Sequence, residues 1–442
     1  MKLAIGKTKK FVQSLVLKIR SIYGTFLRVL FFNGRIHPQA ARSSVATAAR
    51  QRMHFAASCV VRKYVSRFVV ISLFTAVLVS CQNPSVPKGP LAELPETLLA
   101  GNNAQRWYFS NVNLTPPFAK KRDKGVNGLA TDALFKIRNK LIFSTFNGYL
   151  LSVNRQKLND ADRIHLARGI SAPPAFYRPL VFVSAEKGKY GLQAYDLFLR
   201  KVIWKKKGLF SRSSPVLSNG VLFHATLQGK ILAFDPVKGK KLWQYESRKR
   251  ITSDMAMNGD TLIACTPDGL VMAVNGLDGS LLWKNKLPDH LYASPMILRG
   301  KVYLADLAGK LWALNCATGK ISHQARTDGA PFYQPCTTDG RLVFAMNSKG
   351  QLFAFTPALE PRWRLALVGV PMSPVRVTAK HLLVATAQKY IYIIEKQTGQ
   401  IVQKEKLKHR IDGLFPADGK TLYLIREYDH LEMWQAKGTE QQ

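Results

Sequence analysis

Cysteine, histidine and carboxylate side chains are what this chain could do chemistry with, and their spacing is informative. The five cysteines are Cys59, Cys81, Cys265, Cys316 and Cys336. None neighbours another, and no Cys-x-x-Cys or Cys/His spacing is present, so no zinc site is expected. Cys265, Cys316 and Cys336 are scattered and odd in number, and read as buried free thiols. The nine histidines are dispersed and offer no nucleophile–base pair. Many of the 27 acids sit in turns, as Asp268 and Asp278 do, where bonding to local backbone explains them. No catalytic residue, metal site or cofactor is therefore expected. Cys81 stands apart, because it ends an apolar run, "LFTAVLVSCQNPSVP", Leu73 to Pro87. Such a thiol could close a membrane span, follow a secretion signal, or be where the chain is cut and tied to lipid.

Length decides among these. "FVVISLFTAVLV", Phe68 to Val79, would span about 18 Å as a helix at ~1.5 Å per residue. A bilayer core needs about 30 Å. The run is too short for a comfortable span and the right length for a signal core. Arg62, Lys63 and Arg67 precede it, and Asn83, Pro84 and Pro87 stop any helix after it. Residues 1–80 carry 14 Lys and Arg and no acid. We expect residues 1–52 to be a basic extension or a misassigned start, 53–80 a signal peptide, 81–103 a tether and 104–442 the folded domain. That later part holds 51 basic and 27 acidic residues, a net of +24. A surface of that sign attracts lipid headgroups, cell-wall polymers, nucleic acid or acidic protein faces, or is simply solvated.

What must hold any site is a repeat. "SSPVLSNGVLFHATLQGKILAFDPVKGKKLW", Ser213 to Trp243, recurs forty residues later, ending at Trp283, and again, ending at His323. Gly229, Gly269 and Gly309 recur in phase, as do Gly239, Gly279, Gly319 and Gly399. Each unit reads as four short strands. The first follows Ser-Pro, the second alternates ("VLFHA"), the third follows a glycine turn, and the fourth carries tryptophan. Hairpin turns need left-handed backbone, which glycine supplies. Units of about 40–45 residues with four strands have the size of propeller blades. The chain is expected to be all-β, an eight-bladed β-propeller with seven blades as the alternative. The eighth unit, from Arg410, lacks its outer strand. "QRWYFSNV", Gln105 to Val112, is expected to supply it and close the ring.

The pattern G-K-L-x-A-(L/F)-(D/N)-x-x-(T/K)-G-K-x-x-W resembles the pyrroloquinoline-quinone-type propeller repeat, best at Lys230–Trp243 and Lys310–Lys320. In that family the tryptophans dock blade on blade, which implies structural roles for Trp204, Trp243, Trp283 and Trp363. The quinone dehydrogenases that share the repeat use an adjacent cysteine pair, a metal-holding carboxylate and amide set, and a catalytic Asp. This chain has no such pair or cluster, so a dehydrogenase is not expected. Leu78-Val79-Ser80-Cys81 resembles the bacterial lipobox, which implies cleavage before Cys81 and acylation of that residue; Val79 departs from the usual small residue.

A lipoprotein signal followed by this propeller resembles the propeller lipoprotein of the outer-membrane β-barrel assembly machinery. The resemblance implies a lipid-anchored protein on the periplasmic face of the outer membrane, a monomer within a complex. Its implied partners are the barrel-forming subunit and unfolded barrel substrates; no nucleic-acid partner is implied. The family's contact loops fall by position at Ser247–Thr252 and Pro288–Tyr292, which points to Arg248, Arg250 and Asp289. The alternative is a lipid-anchored propeller that binds an anionic envelope polymer.

Overall fold

The computed structural model describes residues 83–86, 91–99, 101–126, 128–159 and 161–438. Cys81, the leader and the boundaries expected at 52 and 80 lie outside the described residues. The described strands form eight antiparallel sheets, each a blade. Blade 1 spans 135–165, blade 2 spans 175–207, and blades 3, 4 and 5 span 216–246, 256–286 and 296–326. Blades 6 and 7 span 337–366 and 376–406, and blade 8 holds 411–436. Eight blades, not seven, make the ring.

Within a blade the strands, a to d, run outward in chain order, except where blade 8 takes its strand d from the N-terminal side. Antiparallel alternation puts the d–a and b–c connections on one face, here the loop face, and the a–b and c–d turns on the other, the turn face. The middle strands are buried almost end to end, as in Val221–Ala225 and Lys230–Phe234. The expected alternation in strand b is absent because neighbouring blades cover both sides of each middle strand. Alternation is clearest in strand d, as in Lys241–Glu246, which meets water on one side.

The expected tryptophan docking is observed. The indole N–H of Trp204 donates to the Pro236 carbonyl, that of Trp243 to Gly276, that of Trp283 to Cys316 and that of Trp363 to Lys396. Each indole lies over the c–d turn of the next blade. The turn's glycine is required there: at Gly279, φ is +80° and an added Cβ would sit 2.6 Å from the Trp243 ring.

Ring closure differs from expectation in its strand. Phe118–Gly125, not Gln105–Val112, pairs with His430–Ala436 and completes blade 8. Gln105–Val112 has another task. Its carbonyls accept from the inner strands of successive blades: Gln105 from Ile297 N, Trp107 from Thr338 N, Tyr108 from Val377 N and Val112 from Ala379 N. These N–H groups line the ring's inner edge, where no blade strand remains to pair them. The segment thus arcs inside the channel. The region expected to be a tether is also docked where it is described. Thr97–Leu98 pairs with the inner strand of blade 2, and Val86, Leu94 and Leu99 are buried against the blades.

Candidate interaction face

At the centre of the channel the Arg106 side chain is fully buried. Its Nε donates to the Met255 carbonyl at 2.9 Å and Nη2 to the Ser214 carbonyl at 3.3 Å, while Nη1 lies 3.6 Å from Asp254. A backbone φ of +63° at Arg106 turns the chain at this point. Nearby, Arg376 donates to Asp132 at 2.6 Å and stacks over the rings of Tyr108 and Phe415. Burial raises the pKa of the Asp132 carboxyl despite Arg376, and raises that of the Tyr108 hydroxyl. Tyr108 borders a cavity on each side, so this segment plugs the channel.

The loop-face cavity, about 200 Å³, is bordered by Tyr108, Asp132, Asp254, Arg212, Tyr292 and Tyr333. The last two rings are exposed, at 53% and 52%. Around them rise the d–a loops. Arg248 and Arg250 are exposed, and neither side chain has a partner among the described residues. Their loop is shaped by Ser247, whose hydroxyl donates to the Gly229 and Lys249 carbonyls at 2.9 Å. Gly229 has φ +82°, and a Cβ there would lie 2.4 Å from the Lys249 carbonyl. Asp289 is half-buried; its carboxylate accepts from the His290 N–H at 2.7 Å.

The three residues therefore share one face, in adjacent loops. The side chain that bridges the neighbourhood is Asp268, which pairs with Lys249 at 3.5 Å and Lys286 at 3.4 Å. The Thr266 hydroxyl donates to it and, with the lysines, lowers its pKa. Arg106 and Asp268 were missed as site-shaping residues. A cation inside an aromatic run, "QRWYF", was the available signal for Arg106. Among the described residues no reactive thiol lies on this face: Cys265, Cys316 and Cys336 are buried and unpaired, and burial pushes Cys336 up to about 12.

With this geometry in hand, the likenesses are specific. A family model described as outer membrane protein assembly factor BamB matches residues 151–245 and 227–355, within blades 1 to 6. The chain is similar to BamB. The BamB of Nitrosomonas eutropha is 28% identical over 160 residues, 35% of this chain and 37% of that protein. The quinoprotein alcohol dehydrogenase PedH of Pseudomonas putida is 26% identical over 154 residues, 32% of this chain and 25% of that one. The matched segments thus span about a quarter to two fifths of these relatives. The crystal structure of BamB from Moraxella catarrhalis aligns with a TM-score of 0.59 at 18% identity, covering 74% of this chain and all of that one. At that identity it shows the fold alone. The chain is a propeller of pyrroloquinoline-quinone-type repeats that resembles the outer-membrane assembly propeller.

The residues present do not fit the quinone for which the repeat is named. That cofactor is a tricarboxylate and needs free cations, and those around this cavity are already engaged: Arg376 is held by Asp132 at 2.6 Å. Arg106 is consumed by two carbonyls and Asp254, and Arg212 is held by Glu186 at 2.9 Å.

Proposed function

We propose that this protein is a lipid-anchored propeller on the periplasmic face of the outer membrane, tethered through Cys81, that scaffolds the assembly of β-barrel proteins. It acts without catalysis and without a cofactor, as a single copy within a complex. The observation that carries this reading is the BamB match through blades 1 to 6 of an eight-bladed ring. The loop face is the docking surface for the barrel-forming subunit. Rigid blades hold its loops, and Arg248 and Arg250 present unpaired cations to an acidic partner surface. Asp289 supplies the opposite sign one loop away, so the face can fix a partner's register as well as attract it. Exposed strand edges at the rim suit unfolded barrel segments, which can add as strands.

Affinity isolation of the full chain from detergent-solubilised envelopes tests this. The expected result is recovery of the barrel-forming subunit, weakened by Arg248→Glu with Arg250→Glu. Recovery of unrelated proteins alone overturns it. The net charge of +24 after residue 80 favours one other reading, a propeller that holds an anionic envelope polymer. Salt-sensitive cosedimentation with peptidoglycan, without the assembly partner, is its signature.

A further inference from the structure

Three consecutive blades differ from the rest at their turn-face tips. Each c–d turn opens on a side chain that accepts backbone N–H bonds from the residues two or three further on. Asn154 accepts from Gln156, Asp235 from Val237, Asn275 from Leu277, Asn315 from Ala317 and Thr356 from Ala358. The same turn position is therefore comparable around the ring. It is polar or small in blades 1, 5 and 6, where it is Gln156, Ala317 and Ala358. It is large and apolar in blades 3 and 4, where Val237 is 57% and Leu277 70% exposed. In blade 2 the turn opened by Asp196 places half-buried Phe198 at that position and projects Leu199, 59% exposed, one residue later. No fold requirement explains large apolar tips at the only three neighbouring turns that have them among these six.

The surroundings are cationic. Lys201, Lys238, Lys240 and Lys241 are all exposed on or beside these turns. The acids Asp196 and Asp235 are turned onto their own backbone, and Asp278 accepts from Ser280 N and Oγ at 2.9 and 2.7 Å. Apolar tips among lysines match the chemistry of an anionic lipid surface, where the tips enter the headgroup layer and the lysines pair with phosphates.

The N-terminal segment arrives at this same edge. Arg200, on the blade 2 turn beside Leu199, donates to the Asn83 carbonyl from Nη2 at 2.9 Å and from Nε at 3.1 Å. Asn83 Nδ2 donates back to the Arg200 carbonyl at 3.0 Å, and the Tyr195 hydroxyl holds the Pro84 carbonyl at 2.7 Å. Two residues span no more than about 7 Å, so a lipid on Cys81 would have its attachment point close to Leu199.

We propose that the turn-face rim of blades 2 to 4 rests on the anionic membrane, with Leu199, Val237 and Leu277 as inserting tips. The inference builds on the proposed anchor at Cys81. A short leash then does more than tether: it fixes which edge meets the bilayer and leaves the loop face turned elsewhere for its partner. Each weak tip contact becomes intramolecular once the anchor holds, which raises its occupancy without new contacts.

The test places a photoreactive phenylalanine analogue at 237, 277 or 249 in the full chain as processed by the cell. The protein is reconstituted in phosphatidylethanolamine–phosphatidylglycerol vesicles or in phosphatidylcholine alone. Phospholipid adducts are expected at 237 and 277 at about ten times the level at 249 in the anionic vesicles. Lys238→Glu, Lys240→Glu and Lys241→Glu together should cut them roughly tenfold or more there, since each basic group near an anionic surface is worth about fivefold. Equal labelling from both faces, or adducts to protein in place of lipid at 237 and 277, overturns the proposal. The mass of the mature amino terminus separates this from the anchor reading. If that mass shows no acyl group, the anchor fails alone; labelling of 237 and 277 by added vesicles then still upholds the rim, and its absence overturns it.

Discussion

Four seams between blades are built alike, and four are not. From blade 2 to 3, 3 to 4, 4 to 5 and 6 to 7, an indole lies on the glycine of the next c–d turn. At the seam from blade 5 to 6 both halves change together: His323 stands at the tryptophan position and Leu359, with φ +59°, at the glycine position. From blade 1 to 2 the pair is Asp162, whose carboxyl feels Arg200, and Arg200 itself with φ +55°. From 7 to 8, Gln403 instead brackets the backbone of Phe118, accepting from its N–H at 2.8 Å and donating to its carbonyl at 2.9 Å. The tryptophan seams are interchangeable parts set by local sequence. Of the others, the seam from 7 to 8 depends on a chain segment arriving from far away. An indole and a Cβ cannot occupy the same space, so when one partner changes the other must change too.

The sharpest way to break this contrast is at the plug, which belongs to no repeat. Arg106→Met should cost about 3–5 kcal/mol, because it leaves Asp254 without its buried cation and two carbonyls without donors. Denaturant unfolding should report that loss together with a broadened transition. Trp243→Ala, at a repeat seam, should cost about 3 kcal/mol or somewhat more by the large-to-small rule. Because neighbouring seams are independent units, that loss should add with Trp363→Ala but not with Gly279→Ala, which disturbs the same contact.

Acid separates the two regions by pH. In the seam of blades 2 and 3, His224 is buried, with Nε2 2.9 Å from the Leu209 carbonyl, and burial lowers it from 6.5 to about 4. The unfolded chain takes up this proton first. Stability is therefore full above pH 6.5, falls as pH drops from 6.5 to about 4, and is flat below. The total for this group is about 3 kcal/mol at 1.36 kcal/mol per pKa unit, and His224→Gln should remove the slope. At the closing strand, burial would raise Asp123, but His430, Arg426 and Lys120 lower it further, below 3.8. Its contribution is present above the unfolded value near 3.8 and is lost as pH falls through the folded one. Asp123→Asn should flatten only that more acidic limb of a stability–pH curve. The smallest effect is expected at the odd seam. His323→Trp should change stability by less than about 1 kcal/mol, since Leu359 fills the glycine's place; adding Leu359→Gly should reveal a favourable coupling in a double-mutant cycle.

Much of this was legible in the chain. A forty-residue period with glycine and tryptophan in constant phase determined the blade, its turns and the docking of one blade on the next, because those contacts lie within a unit or between neighbours. The count of eight followed from the same period. Arg248, Arg250 and Asp289 lie in loops of one face, since connections of equal phase emerge on the same side. What only the tertiary structure decided involves residues 83–125, which carry no repeat. Read locally, "QRWYFSNV" is a strand, and as a strand it was assigned to the rim. Folded, the inner edges of the blades present N–H groups that need carbonyls, and the channel takes in the segment that supplies them. That segment is 105–112, so the closing strand is the next one, Phe118–Gly125. Likewise "QNPSVP" reads as a loose linker by composition. Arg200, more than a hundred residues away, pins its Asn83 to the turn face. Periodicity encodes contacts of fixed sequence separation, whereas the path of a non-repeating segment depends on partners that only the closed ring brings together.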